Sequence, residues 1–300
     1  VTAADGGPLL DDDGVPRGQP VLDALVRLLD LERLEEDLFR GVSPPMSPVR
    51  VFGGQVAAQA LVATGRTVPP DRRVHSLHAY FIRPGDPSVP IVYQVDRTRD
   101  GRSFTTRRVV AIQHGKPIFT MSSSFQVDEP GVDHAVDLPA VPEPETLPTM
   151  SERLAAADPK PPFFARVPRP FDIRYVEAPH WTGRAQPRPG VRVRVWFRPD
   201  GALPDDDLLH VCVLAYLSDL TLLDSVLASH GVAVGEDVTQ LASLDHAMWF
   251  HRPIRLDDWV LYDTDSPSAS GGRGLATGRF FARSGALLAT VVQEGLIRVR

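Results

Sequence analysis

Three hundred residues suffice for one large domain or two ordinary ones, and 43% hydrophobic with 23% charged residues is the composition of a chain that buries a core. The formal net charge is -6, and among the 32 basic residues only Lys116 and Lys160 are lysines, so no basic face for a nucleic-acid backbone is expected. Cys212 is the single cysteine, which excludes an intramolecular disulfide framework and a multi-cysteine metal site; within His210-Val211-Cys212-Val213-Leu214 it reads as a small buried hydrophobe.

Residues 1–20 carry an Asp-Asp-Asp run and several glycines where a signal peptide would have a basic region and an apolar core. No apolar run reaches the roughly 20 residues that span a bilayer, so no integral membrane segment is expected. Val299-Arg300 is not an address of the Ser-Lys-Leu kind, and a cytoplasmic location is the expectation. Residues 21–39 read as an amphipathic helix, with Leu22, Leu28, Leu29, Leu31, Leu34 and Leu38 set among charged residues, and 41–48 as a breaker. A second helix begins near Gly53-Gly54, has a small-residue face of Val56, Ala57, Ala60 and Leu61, and ends at Gly65.

From Val74 the period shortens to two. Residues 74–82 are strand-like up to the turn Arg83-Pro84-Gly85-Asp86; 91–97 and 103–113 flank Asp100-Gly101, a hairpin signal; 118–127 follow a turn at His114-Gly115. This is a helix followed by an antiparallel meander, without the alternating helices of a doubly wound sheet. Residues 129–162, rich in proline and acid, suit a crossover pinned on the surface. Beyond them 171–176 and 191–197 look extended, 210–227 supports a buried helix, and strands return at 247–250, 259–264, 274–282 and 287–298.

The halves echo each other. Ala79-Tyr80-Phe81-Ile82-Arg83-Pro84 aligns with Met248-Trp249-Phe250-His251-Arg252-Pro253, Gly101-Arg102 with Gly272-Arg273, and Gly115 with Thr120 answers Gly285 with Thr290. Preserved order and spacing indicate duplication. The chain therefore divides into units 21–128 and 163–300 joined by 129–162, each an α+β unit with a long helix on one face of an antiparallel sheet. Joined sheet edges would protect their backbone groups and leave grooves wide enough for an acyl chain.

Three polar residues interrupt apolar surroundings. Asp219 lies in Leu214-Ala215-Tyr216-Leu217-Ser218-Asp219-Leu220, where burial needs compensating partners; an exposed helix face or a cap at a local break would also accommodate it, and Ser218 and Asp224 share the description. Ser243 in Leu241-Ala242-Ser243-Leu244-Asp245-His246 has no Gly-x-Ser-x-Gly elbow around it and fits a turn or cap as well as a site. Asp245 and His246, being adjacent, face opposite ways on a regular strand, which weakens a serine-histidine-aspartate relay. Gln293 and Glu294 likewise divide between the two faces of a terminal strand, and Gln293 could simply bond across the sheet. His75 and His78 also fall on opposite faces and make a poor metal pair. Val51-Phe52-Gly53-Gly54-Gln55 lacks the lysine of a phosphate loop, but glycines at a helix start let a carbonyl oxygen approach backbone donors, or let helices pack closely.

With these residues in place the chain resembles the acyl-CoA thioesterase II family, whose fold is a double hotdog. The resemblance rests on Leu38-Phe39-Arg40-Gly41, Val51-Phe52-Gly53-Gly54-Gln55-Val56, Phe81-Ile82-Arg83-Pro84-Gly85-Asp86, Ser218-Asp219-Leu220, Asp245-His246-Ala247-Met248-Trp249-Phe250-His251-Arg252-Pro253 and Val292-Gln293-Glu294-Gly295, and extends over 21–300. It implies two long helices wrapped by a continuous antiparallel sheet and hydrolysis of fatty acyl-CoA by activated water, with no cofactor, no metal and a homo-oligomeric state. It also implies that Asp219, Ser243 and Gln293 bind that water, Ser243 standing where members often carry threonine, and that Gly53, Gly54 and Gln55 line the substrate site. A hydratase lacks a convincing Asp-x-x-x-x-His pattern here; an acyl-binding protein without activity, and a hydrolase of acyl groups on carrier protein, stay open at this point.

Overall fold

The computed structural model describes residues 9–10, 14–44, 50–157, 167–179, 186–188, 190–232 and 237–299. Parts of the expected breaker (45–48) and crossover (158–162), most of the N-terminal segment and Arg300 lie outside the described residues. The first half runs β1 (Leu9–Leu10), β2 (Pro16–Arg17), α1 (Gln19–Leu29), β3 (Glu32–Glu35), β4 (Leu38–Gly41), α2 (Gly53–Gly65), β5 (Arg72–Phe81), β6 (Ile91–Asp100), β7 (Phe104–Gln113) and β8 (Lys116–Val127). The second runs α3 (Met150–Ala156), β9 (Phe171–Tyr175), β10 (Val193–Pro199), α4 (Asp207–Ser218), α5 (Asp224–His230), β11 (Val238–Ser243), β12 (Asp245–Phe250), β13 (Val260–Ser270), β14 (Arg273–Ala282) and β15 (Leu287–Val299).

One antiparallel sheet carries the molecule in the order β3-β4-β6-β7-β8-β5-β12-β15-β14-β13-β10-β9, with β11 also on β15. The order is symmetric about the β5–β12 seam, where Leu77 pairs with Met248 and Ala79 with His246. Outward from it β8, β7 and β6 match β15, β14 and β13, so the repeats read from sequence are two hotdog units sharing one continuous sheet. Pairing β5 to β12 leaves neither strand as an exposed edge.

Helices α2 and α4 lie side by side and antiparallel, Gly54 against the Tyr216 carbonyl at one end and Gly65 against Leu208 at the other. Residues 54–64 of α2 are buried, so the small side chains that marked this helix let sheet and α4 close on it from several sides. Its buried Gln59 amide is satisfied, donating to Leu28 O (2.7 Å) and Val42 O (3.1 Å) and accepting from the Tyr93 hydroxyl (2.7 Å). Among the described residues no helix is long and apolar enough to cross a membrane.

Three expectations are corrected. The helix expected over 21–39 stops at Leu29: Leu22, Leu25 and Leu29 are buried, each contributing about 1.5–3 kcal/mol, but 32–41 form a hairpin because β4 adds to β6, setting Phe39 opposite Tyr93 in the core. The helix expected over 210–227 is two helices, α4 and α5, broken at Asp219. The crossover contains a helix, α3, capped reciprocally by Thr149 and Glu152. The segment is tied to the sheet through Trp196 Nε1 to Pro142 O (3.1 Å) and Arg283 to Glu143 (2.8 Å) and Glu145 (2.9 Å).

Candidate active site

Asp219 is the C-cap of α4, with helical φ and ψ but no following turn. Continuation would give the Ser218 carbonyl to the backbone N–H of Leu222. The Tyr262 hydroxyl takes that carbonyl at 2.9 Å instead, and the chain tightens through Leu220 N to Leu217 O (3.0 Å). The break turns the Asp219 carboxylate toward the N-terminus of α2.

Glycine is required where the carboxylate arrives. A Cβ on Gly53 would lie 2.6 Å from Asp219 Oδ2, and one on Gly54 would lie 2.5 Å from the Tyr216 carbonyl oxygen. Of the two readings open for these glycines, close packing is what the structure displays, with the Asp219 carboxylate set against the start of α2 and its pKa held lower by the Gly54 backbone.

Ser243 ends β11, and its hydroxyl donates to Asp219 Oδ1 at 3.1 Å. It accepts at 3.0 Å from Gln293 Nε2, whose amide also bonds to the Asp219 carboxylate. The structure thus brings together Asp219, Ser243 and Gln293 from three separate elements. Strand alternation holds as anticipated: Gln293 is fully buried while Glu294 reaches out to Arg273 (2.9 Å), and Asp245 turns to the Glu294 N–H (2.7 Å) while His246 turns inward.

A cavity of about 490 Å³ opens onto this cluster. Asp219, Ser243 and Gly53 stand on its wall, and Val51, Val56, Phe81, Phe119, Leu220 and Leu223 make much of the rest apolar. Arg50 and Arg83 also border it. Gln293 lies behind Ser243, outside the lining. Gly54 and Gln55 are also outside it, the buried Gln55 amide donating to Val42 O (3.0 Å) and Ser43 Oγ (3.1 Å), so of the three residues expected to line the substrate site only Gly53 does.

Burial pushes the Asp219 carboxyl above the ordinary carboxylate range, opposed by His246 and by hydrogen bonds from Gln293, Ser243 and the Gly54 backbone. Burial lowers His246, so the imidazole is held toward its neutral form against the attraction of Asp219. A carboxylate shifted upward and aimed into an apolar cavity suits a general base, because proton affinity nearer the working pH favours proton abstraction.

Residues 42–126 match the acyl-CoA thioesterase N-terminal domain, and residues 171–296 match the acyl-CoA thioesterase family. The chain is 41% identical to acyl-coenzyme A thioesterase 8 of Homo sapiens, covering 99% of this chain and 96% of that protein. The chain belongs to the acyl-CoA thioesterase family. Acyl-CoA thioesterase 2 of Haemophilus influenzae is 41% identical, with 93% of this thioesterase and 98% of the relative covered. The crystal structure of an acyl-CoA thioesterase II from Mycobacterium marinum superposes with a TM-score of 0.77 at 45% identity, covering 92% and 98% of the two chains.

Sequence reasoning passed over one member of the thioesterase's polar cluster. Adjacency to Asp245 weakens a relay between the two but says nothing of other partners, and the His246 ring is buried with Nδ1 on Gln293 Oε1 and Nε2 2.8 Å from Ser218 Oγ. The available signal was a histidine on the inward face of a strand beside the strand carrying Gln293; alternation indicated the face but not the partner. Tyr262, whose hydroxyl breaks α4, carried no signal beyond its strand pattern.

Proposed function

We propose that Asp219 and Ser243 hold and activate the water that attacks the thioester carbonyl, with Gln293 fixing both. As an acyl-CoA thioesterase the chain hydrolyses fatty acyl-CoA to fatty acid and CoA. The observation that carries the mechanism is the buried carboxylate on the cavity wall, bonded to a hydroxyl that also faces the cavity. Water gives a proton to Asp219 as its oxygen bonds to the carbonyl carbon. The carbonyl electrons move to oxygen, and collapse of the tetrahedral intermediate expels the CoA sulfur, which recovers the proton. The Gly53 N–H, at the positive end of α2 and on the cavity wall, is the candidate donor to the oxyanion.

The role expected for Gln293, direct contact with the water, is modified in this reading. Its N–H groups go to Ser243 and Asp219 and its oxygen to His246, so it aligns the two groups that meet the water. Arg50 and Arg83 suit the phosphates of CoA: each bonds a backbone carbonyl, of Leu241 and Pro117 respectively, and neither has a carboxylate partner among the described residues. This favours CoA over carrier protein as the leaving group; identical acyl chains on the two carriers, assayed in parallel, separate the readings. Domain limits of 21–128 and 163–300 with 129–162 as crossover, a homo-oligomeric state and a cytoplasmic location belong to the same proposal.

Thiol release over a series of acyl-CoA chain lengths measures the activity, and Asp219→Asn tests the mechanism. Its single-turnover rate should fall by roughly ten- to a thousandfold, the span typical of lost acid-base groups, while acyl-CoA binding changes far less. A natively folded Asp219→Asn with unchanged single-turnover rate would refute the base.

A further inference from the structure

His246 touches neither the cavity nor the atoms of the reaction proposed above, yet it is only 1% exposed and both ring nitrogens are engaged. The direction of each bond follows from the carboxylate at the end of the chain. Ionised Asp219 can only accept, so the Ser243 hydroxyl donates to it and its oxygen accepts from Gln293 Nε2. That orientation points Gln293 Oε1 at His246, so Nδ1 must carry a proton, while Nε2 lies 2.8 Å from the Ser218 hydroxyl, which itself donates to the Ala215 carbonyl at 2.8 Å. Were the amide reversed, its oxygen would draw the Ser243 proton away from Asp219, and the base would lose a partner.

We propose that His246 is the positioning residue that holds the Gln293 amide in the orientation Ser243 and Asp219 need, through a one-way relay of donors from His246 Nδ1 to the carboxylate. This rests on the water mechanism above. A second observation in the fold supports it. The strand pair β5–β8 of the N-terminal unit repeats β12–β15: Tyr80 faces Thr120 as Trp249 faces Thr290. Three positions along, the N-terminal unit has Leu77 opposite Ser123 where the C-terminal unit has His246 beside Gln293. Leu77 is fully buried, so this scaffold position is well filled by an apolar side chain and the packing alone does not call for an imidazole.

The test replaces His246 by the leucine of the other unit and by asparagine, whose amide nitrogen falls near Nδ1 and can still donate to Gln293. His246→Leu should lower turnover by roughly ten- to a hundredfold with KM within about threefold, the mark of misplaced chemistry rather than lost binding. His246→Asn should recover most of that loss, since the single donor is restored. Full turnover in a native His246→Leu, or a His246→Asn as slow as the leucine variant, would overturn the assignment. Nitrogen-15 NMR of histidine-labelled enzyme, with His246→Asn identifying the signal, should show the Nδ1–H tautomer. An Nε2–H tautomer would overturn the proposal even if the leucine variant failed to fold. Asp219→Asn in the same assays separates the two readings: if it stays active the water mechanism fails, whereas an inactive Asp219→Asn beside a fully active His246→Leu removes only the role of His246.

Discussion

The antiparallel pair α2 and α4 has two ends, related by the duplication, and they are filled differently. At one end Gly53 meets the Asp219 carboxylate; at the other Gly65 meets the Leu208 side chain. The C-cap of α4 is Asp219 and that of α2 is Arg66, which turns outward to Leu31 O (2.6 Å) and Asp30 (2.6 Å). Behind them, Gln293 and His246 stand where the N-terminal unit has Ser123 and Leu77. The same helix-on-sheet scaffold closes with leucine and serine at one end, so packing alone does not call for the acid, amide and imidazole at the other, which the proposed mechanism uses. The site nevertheless needs both units, because the wall facing Asp219 is made by Gly53 and Phe81 of the first.

Gln293→Ser writes the N-terminal residue into the C-terminal end and should have the largest effect here. Turnover should fall by roughly a hundredfold through lost alignment of Ser243 and Asp219, with acyl-CoA binding less affected. Its counterpart, Ser123→Ala, removes a buried hydroxyl with no partner among the described residues and should leave kcat and KM as they are. Steady-state kinetics on the two proteins measure the contrast; equal effects would erase the functional difference between the ends. At Ser243 the hydroxyl and its methyl environment can be separated. Ser243→Ala should lower turnover about tenfold or more, whereas Ser243→Thr keeps the donor and should remain within about threefold of the parent.

The pH profile sharpens the comparison through Asp219. The proposed base must be ionised to act, and burial raises its pKa, so activity should be lost on acidification at a pH above about 4, the ordinary aspartate range. An acid limb at or below that value in kcat would contradict the proposed base. The same shift has a smaller consequence for stability. A folded pKa above the unfolded one means a contribution present below the unfolded pKa and lost as pH rises through the folded value, so ionised Asp219 is unfavourable at neutral pH. Asp219→Asn should melt higher than the parent at pH 7, and the gain should shrink in acid. Calorimetry at two pH values decides the sign.

Much of this was legible because local patterns agreed with the fold. Alternation located β5 to β8 and β12 to β15, Gly53-Gly54 and Gly65 bounded α2, and the repeated aromatic-Arg-Pro and threonine positions lie at matching places beside the seam. The α3 helix was legible in principle, since Thr149-x-x-Glu152 is a capping box, but the prolines around it masked the period. The hairpin at 32–41 was not, because its leucines satisfy a helical spacing and only the edge of β6 makes a strand of 38–41.

The amino-acid pattern alone settled the alternation of the main strands and marked Asp219, Ser243 and Gln293 as polar residues in apolar runs, leaving open whether each turned inward. It did not determine what they meet. The run from Asp207 to His230 holds no glycine or proline that would stop a helix at Asp219; the stop is made by the Tyr262 hydroxyl, 44 residues along the chain, which takes the carbonyl the next turn would have used. The partner of His246 is likewise set by the register of β12 on β15, 47 residues away. Periodicity records the average burial of a face, whereas hydrogen-bond partners depend on where distant elements finally lie, and that placement exists only in the packed chain.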